Sequence, residues 1–140
     1  MNAKTYLRQV EVLDHRIDSK IAILGNLKEM ATKTTSIMSD VVVCRTRNTH
    51  SMEDVIVKIV DMQEQINRDI DRLVDLKREI MDVLDEVKDM NFRLILEKRY
   101  LCFESWPKIG EDMGHSDRWA QLKHQAALRV VQQILDKRAA

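Results

Sequence analysis

One heptad stripe constrains this chain more than any other feature. Ile59, Met62, Ile66, Asp69, Leu73, Leu76, Ile80, Val83 and Val87 recur in alternating steps of three and four, which lines them up on one face of a single helix. No Gly or Pro interrupts residues 55–87. A helix of roughly 35 residues rises about 50 Å and cannot hide such a stripe by itself, so it requires a partner helix.

The partner is near at hand. Residues 3–32 carry a matching stripe of Tyr6, Val10, Leu13, Ile17, Lys20, Leu24, Leu27 and Ala31. Gly25 interrupts that helix only at a cost of about 1 kcal/mol relative to Ala. Between the stripes the period fails: Thr32, Thr34, Thr35, Ser36 and Ser39 open a segment that Asn48, Thr49, His50 and Ser51 close. This predicts a connector over about 33–52, with Ser51, Glu53 and Asp54 as the start of the second helix. The expected fold is therefore all-α: a long antiparallel helical hairpin over 1–89, coiled-coil-like, followed by a small head over 90–140.

Each stripe has one polar position, Lys20 in the first and Asp69 in the second. Two readings are open. The charges either reach water at the rim, or they pair between the helices and fix the hairpin register, at a cost in stability that penalises slipped alignments. Leu7, Ile21, Ile70, Val74 and Leu84 flank the stripes. A two-helix hairpin leaves such flanks open, so a homodimer through the rod is expected.

Composition agrees with long helices: 33% of residues are charged, and the chain holds three Gly and one Pro. Residues 1–90 carry 14 Lys/Arg against 17 Asp/Glu and residues 91–140 carry nine against six, so the C-terminal part is net basic and suits an anionic partner. Cys44 and Cys102 lack CxxC spacing and read as reduced thiols. His15, His50, His115 and His124 show no ligand spacing, and neither a nucleophile–base grouping nor a glycine-rich phosphate loop is present. No enzyme, metal, cofactor or small-molecule substrate is expected. No apolar run is long enough for a membrane span, and the N-terminus has no apolar leader core, which predicts a cytoplasmic protein.

The head reads as helices. Asp89, Met90 and Asn91 break the long helix, and a shorter one covers 92–101. Ser105 caps a short helix over 106–113 with Pro107 in its first turn, and Gly114 ends that helix. Ser116 caps the last helix, which runs to about 137. Short helix, glycine turn, helix is the helix-turn-helix pattern.

The run Ser105-Trp106-Pro107-Lys108-Ile109-Gly110-Glu111-Asp112-Met113-Gly114-His115-Ser116 resembles the helix-turn-helix of region four of bacterial sigma factors. Across nearly its whole length the chain is similar to a family of small phage and prophage proteins of Gram-positive bacteria, relatives of the ArpU/RinA-type late transcription regulators. The resemblance rests on Ala3-Lys4-Thr5-Tyr6-Leu7, on Ile66-Asn67-Arg68-Asp69-Ile70-Asp71-Arg72-Leu73-Val74-Asp75-Leu76-Lys77-Arg78-Glu79-Ile80, and on the sigma-like tail.

It implies a phage-type transcription regulator that binds double-stranded DNA, RNA polymerase, or both, inside a bacterial host cell. Arg118, Gln121, Lys123, His124 and Gln125 are then the DNA contact set. Ser105, Trp106, Ile109, Gly110, Gly114 and Ser116 are the scaffold, Gly110 being small because two helices cross there.

Two stripes compete on the last helix. Ala120, Ala127, Val131 and Ile134 suit a core against Trp106, Ile109 and Met113. Trp119, Leu122, Ala126 and Val130 form a second apolar stripe where a DNA reader wants polar groups. That second stripe supports an alternative, a protein-interaction or inhibitor module whose helix-turn-helix does not read DNA.

Overall fold

The computed structural model describes residues 1–40 and 45–140, apart from the side chains of 34–40 and 45–51. The regular structure of the described residues is all helical: α1 (Ala3–Asp40), α2 (Arg45–Asp85), α3 (Met90–Leu96), α4 (Trp106–Met113) and α5 (Asp117–Ala139). After α3 the chain widens into a π-type turn over Glu97–Leu101, closed by the Cys102 amide donating to the Glu97 carbonyl at 3.0 Å. No strand occurs among the described residues, and no helix among them is long and apolar enough to cross a membrane.

Both long helices extend further than the apolar period suggests. Helix continues through residues 33–40 and again through 45–52, where a connector was expected, and residues 41–44 lie outside the described residues. Ser51 accordingly sits inside α2 and does not start it. Thr32 shows how a hydroxyl-rich segment can stay helical: its Oγ1 donates back to the Lys28 carbonyl at 3.1 Å, satisfying itself on its own helix.

The C-terminal end of α2 falls at Asp85, ahead of the break expected at Asp89, Met90 and Asn91. No Gly or Pro enforces this break; side chains do. Asp89 accepts from the Asn91 and Phe92 amides at 2.9 and 3.2 Å as the N-cap of α3. Arg93 reaches back to the Val87 and Asp85 carbonyls at 2.7 and 3.1 Å, satisfying carbonyls that the end of α2 leaves open.

The chain divides into two compact units, residues 14–72 and residues 1–13 with 73–140. This division differs from the expected one at 89/90, and burial explains why. A head of about 50 residues has only a thin core of its own. Leu7 and Val10 of α1 and Ile80, Val83, Leu84 and Val87 around the end of α2 are fully buried in one cluster with Leu96, Tyr100, Ala127 and Val131. Leu7 and Leu84 are therefore core residues and not the open flanks anticipated for them. A second cluster of Ile95, Ile109 and Ala120 is packed by Trp106, Met113 and Trp119.

In the unit of residues 14–72, the stripe positions Ile17, Lys20, Leu24, Leu27 and Ala31 of α1 and Ile59, Met62, Ile66 and Asp69 of α2 are all buried or half-buried. Lys20 and Asp69 form an ion pair between the two helices at 2.5 Å, with the Asp69 side chain only 7% exposed. Arg72 lies 4.0 Å from the other Asp69 oxygen. The two charges thus meet each other between the helices and do not reach water at the rim.

Candidate nucleic-acid interface

The turn between α4 and α5 is fixed by local chemistry. Ser105 accepts from the Lys108 amide at 3.4 Å and Pro107 sits in the first turn of α4, where its missing N–H costs no hydrogen bond. At the other end Gly114 takes the left-handed conformation (φ 73°, ψ 29°), and the His115 amide donates to the Gly110 carbonyl at 2.8 Å. Ser116 then caps α5 by accepting from the Trp119 amide at 3.1 Å.

Gly110 is the residue on which this arrangement closes. A Cβ there would stand 2.8 Å from the His115 carbonyl oxygen and 2.8 Å from the Ser116 carbonyl carbon. These are backbone atoms and cannot swing aside, so only glycine allows this approach. Ile109 beside it is fully buried, and Trp106 is half-buried with its ring 4.7 Å from that of His124 in an edge-on arrangement. Of the expected scaffold residues, Gly110, Gly114 and Ser116 form the turn and Ile109 packs beside it, whereas Ser105 and Trp106 stand at the opposite end of α4.

The first stripe of α5 lies deeper than the second, from which Leu122 alone is exposed. Ala120, Ala127 and Val131 are fully buried and Ile134 half-buried. Leu122 is 62% exposed, while Trp119, Ala126 and Val130 are half-buried. Trp119 stacks on His115, ring centroids 3.7 Å apart.

Of the expected contact residues, Arg118, Gln121 and Gln125 are exposed and Lys123 is half-buried. Arg129, absent from that set, is exposed as well. His124 is the correction. It lies buried, its Nε2 2.6 Å from the Tyr100 hydroxyl, and it faces the core side of α5. Burial, with Lys4 and Arg99 close by, pushes its pKa down to about 4, so the ring is neutral near pH 7. Burial likewise pushes the Tyr100 phenol up to about 12 against the pull of Arg99 and Arg8. A neutral buried pair of this kind brings no charge of its own to a nucleic acid.

Sequence reasoning missed the basic residues that gather around this pair. Lys4 and Arg8 of α1 and Arg99 of the π-type turn line a pocket over Tyr100, Trp106 and His124. The Arg99 guanidinium stacks over the Trp106 ring, 4.6 Å from its centroid, and donates to the Glu104 carbonyl at 3.1 Å. Lys4 and Arg8 share a helix face through their i, i+4 spacing; that spacing was visible in the sequence, but nothing local linked it to Arg99.

No curated protein and no solved structure matches the chain. The model of the family DUF1492, described as a protein of unknown function, matches residues 31–132. The chain belongs to that family.

Proposed function

We propose that this member of the DUF1492 family is a phage-type transcription regulator. It binds double-stranded DNA, RNA polymerase, or both, through a sigma-region-four-like helix-turn-helix formed by α4, the Gly114 turn and α5. In this reading α1 and α2 form an antiparallel hairpin that dimerises. The mechanism is binding alone: phosphate contacts position the head and base contacts along α5 specify sequence.

One observation carries the reading. The Gly110 approach to the His115 and Ser116 backbone sets a close crossing of α4 and α5, and Arg118, Gln121, Gln125 and Arg129 stay exposed on α5. A short capped helix, a left-handed glycine and a capped second helix with a polar outer face suit a major-groove reader. Dimerisation is supported by Ile56, Val60 and Ile70, which recur on one face of α2 and stay exposed.

A gel shift tests the DNA reading, using the duplex upstream of the protein's own gene and a scrambled duplex. Salt-sensitive retardation with preference for the natural sequence is expected. Absence of any shift at low salt overturns it.

The alternative, a partner-binding module that does not read DNA, is favoured by one feature. Leu122 is 62% exposed on the same helix as the polar set, flanked by the half-buried Trp119 and Ala126. Leu122 and Ala126 can touch thymine methyl groups, but they cannot supply phosphate contacts.

A further inference from the structure

We propose that Lys4, Arg8 and Arg99 form a binding pocket for a phosphate group. The pocket floor is Tyr100, Trp106 and His124, and three cations surround it against a single carboxylate, Glu11. Among the described residues no carboxylate lies within ion-pair distance of Lys4, Arg8 or Arg99. Three cations facing one cavity with one acid repel each other, and a bound dianion relieves that repulsion. Arg99 is held in place by the Trp106 ring and the Glu104 carbonyl, so little rotamer freedom is lost when its remaining N–H groups bind an oxyanion. Lys4 and Arg8 are exposed and close on the ligand from α1.

The position of the pocket points to one source of phosphate. The Ala3 amide donates to Gln132 Oε1 at 2.7 Å, so the start of α1 lies along the Gln132 side of α5. Gln125 stands two helical turns earlier on that same side. Lys4 and Arg8 thus border the outer face of α5. If that face reads DNA, as proposed above and on which this step rests, the phosphate is one of the duplex backbone, and α1 adds electrostatic contacts to those of Arg118 and Arg129 on α5. A free phosphate monoester is the other source of the same chemistry.

The test uses the full chain and its K4Q/R8Q variant, whose changes are at exposed positions. The first arm titrates inorganic phosphate while following the His124 imidazole resonances by NMR. The second arm measures binding of a random-sequence duplex between 50 and 200 mM salt. The expected result is a saturable movement of the His124 resonances that K4Q/R8Q loses, with duplex affinity at least about tenfold lower in the variant and a log–log salt slope smaller by about 1.8, two contacts at about 0.9 each.

A phosphate response lost in the variant, with duplex binding unchanged, keeps the pocket and makes a free phosphate its ligand. Absence of wild-type duplex binding, with the phosphate response intact, removes the DNA reading and leaves the pocket standing. Unmoved His124 resonances together with unchanged duplex binding in K4Q/R8Q overturn the proposal, and they do so even where the wild type binds DNA.

Discussion

Lys20 and Asp69, forty-nine residues apart in sequence, meet at 2.5 Å between α1 and α2, each at the polar position of its own apolar stripe. The Lys20 hydrogen bond holds the Asp69 carboxyl below its ordinary value of 3.8. The stripes alone allow alignments slipped by a heptad, and a register role for the ion pair is what a double-mutant cycle tests.

Replacing Asp69 by Leu should destabilise the protein more than replacing Lys20 and Asp69 together by Leu, because the single change strands a half-buried ammonium. Urea unfolding of the two singles and the double, read as a double-mutant cycle, checks this; additive effects would show no coupling. The pair also has a pH sign. A depressed carboxylate contributes fully above its unfolded pKa near 3.8, and that contribution is lost as pH falls through the lower folded value.

His124 should give stability a second acid dependence, at higher pH. Its folded pKa of about 4 lies below the ordinary 6.5, so the unfolded chain binds the extra proton first. The contribution of neutral His124 is complete above about pH 6.5 and is lost as pH falls toward 4. Thermal melts should show Tm decreasing across that window, and H124Q should flatten that part of the profile. An identical slope in H124Q would contradict the assignment.

The two helical glycines should respond oppositely to alanine. At Gly110 the added Cβ meets backbone at 2.8 Å, and overpacking of this kind costs about 1–3 kcal/mol. At Gly25 nothing lies within 4 Å of the added Cβ, and an exposed helical Gly→Ala change stabilises by about 1 kcal/mol. Chemical denaturation of G110A and G25A reads both signs directly.

Much of the helical pattern was legible from periodicity. The stripes of α1 and α2, the caps at Ser105 and Ser116 and the glycine turn depend on local sequence, and local sequence determines them. The pairing of Lys20 with Asp69 was one of two readings that only tertiary contact could separate. What stayed hidden was non-local. Leu7 and Leu84 looked like open flanks because their cover, α5 and the residues around Tyr100, comes from elsewhere in the chain. His124 looked like a contact residue because it stands among the polar Gln121, Lys123 and Gln125 on the last helix, while its partner Tyr100 lies 24 residues away. The break after Asp85 carried no Gly or Pro because Asp89 and Arg93 supply the caps.

Leu122→Glu separates the two functional readings. At 62% exposure the change should alter stability by no more than about 0.5 kcal/mol. A variant of normal stability that no longer co-purifies as an oligomer or with a bound protein would favour the partner-binding module. Substantial unfolding would place Leu122 in a buried interface.

DNA binding by the outer face of α5 is open to fluorescence anisotropy in the wild type and R118A/R129A, using labelled DNA from upstream of the protein's own gene between 50 and 200 mM salt. Both arginines are exposed, so melting should be unchanged. The account predicts wild-type binding that weakens steeply with salt, at least about tenfold weaker binding in the variant, and a log–log slope reduced by about 1.8 where both side chains contact phosphate. Wild-type binding that is absent at 50 mM salt, or affinity and slope unchanged in R118A/R129A, would contradict it.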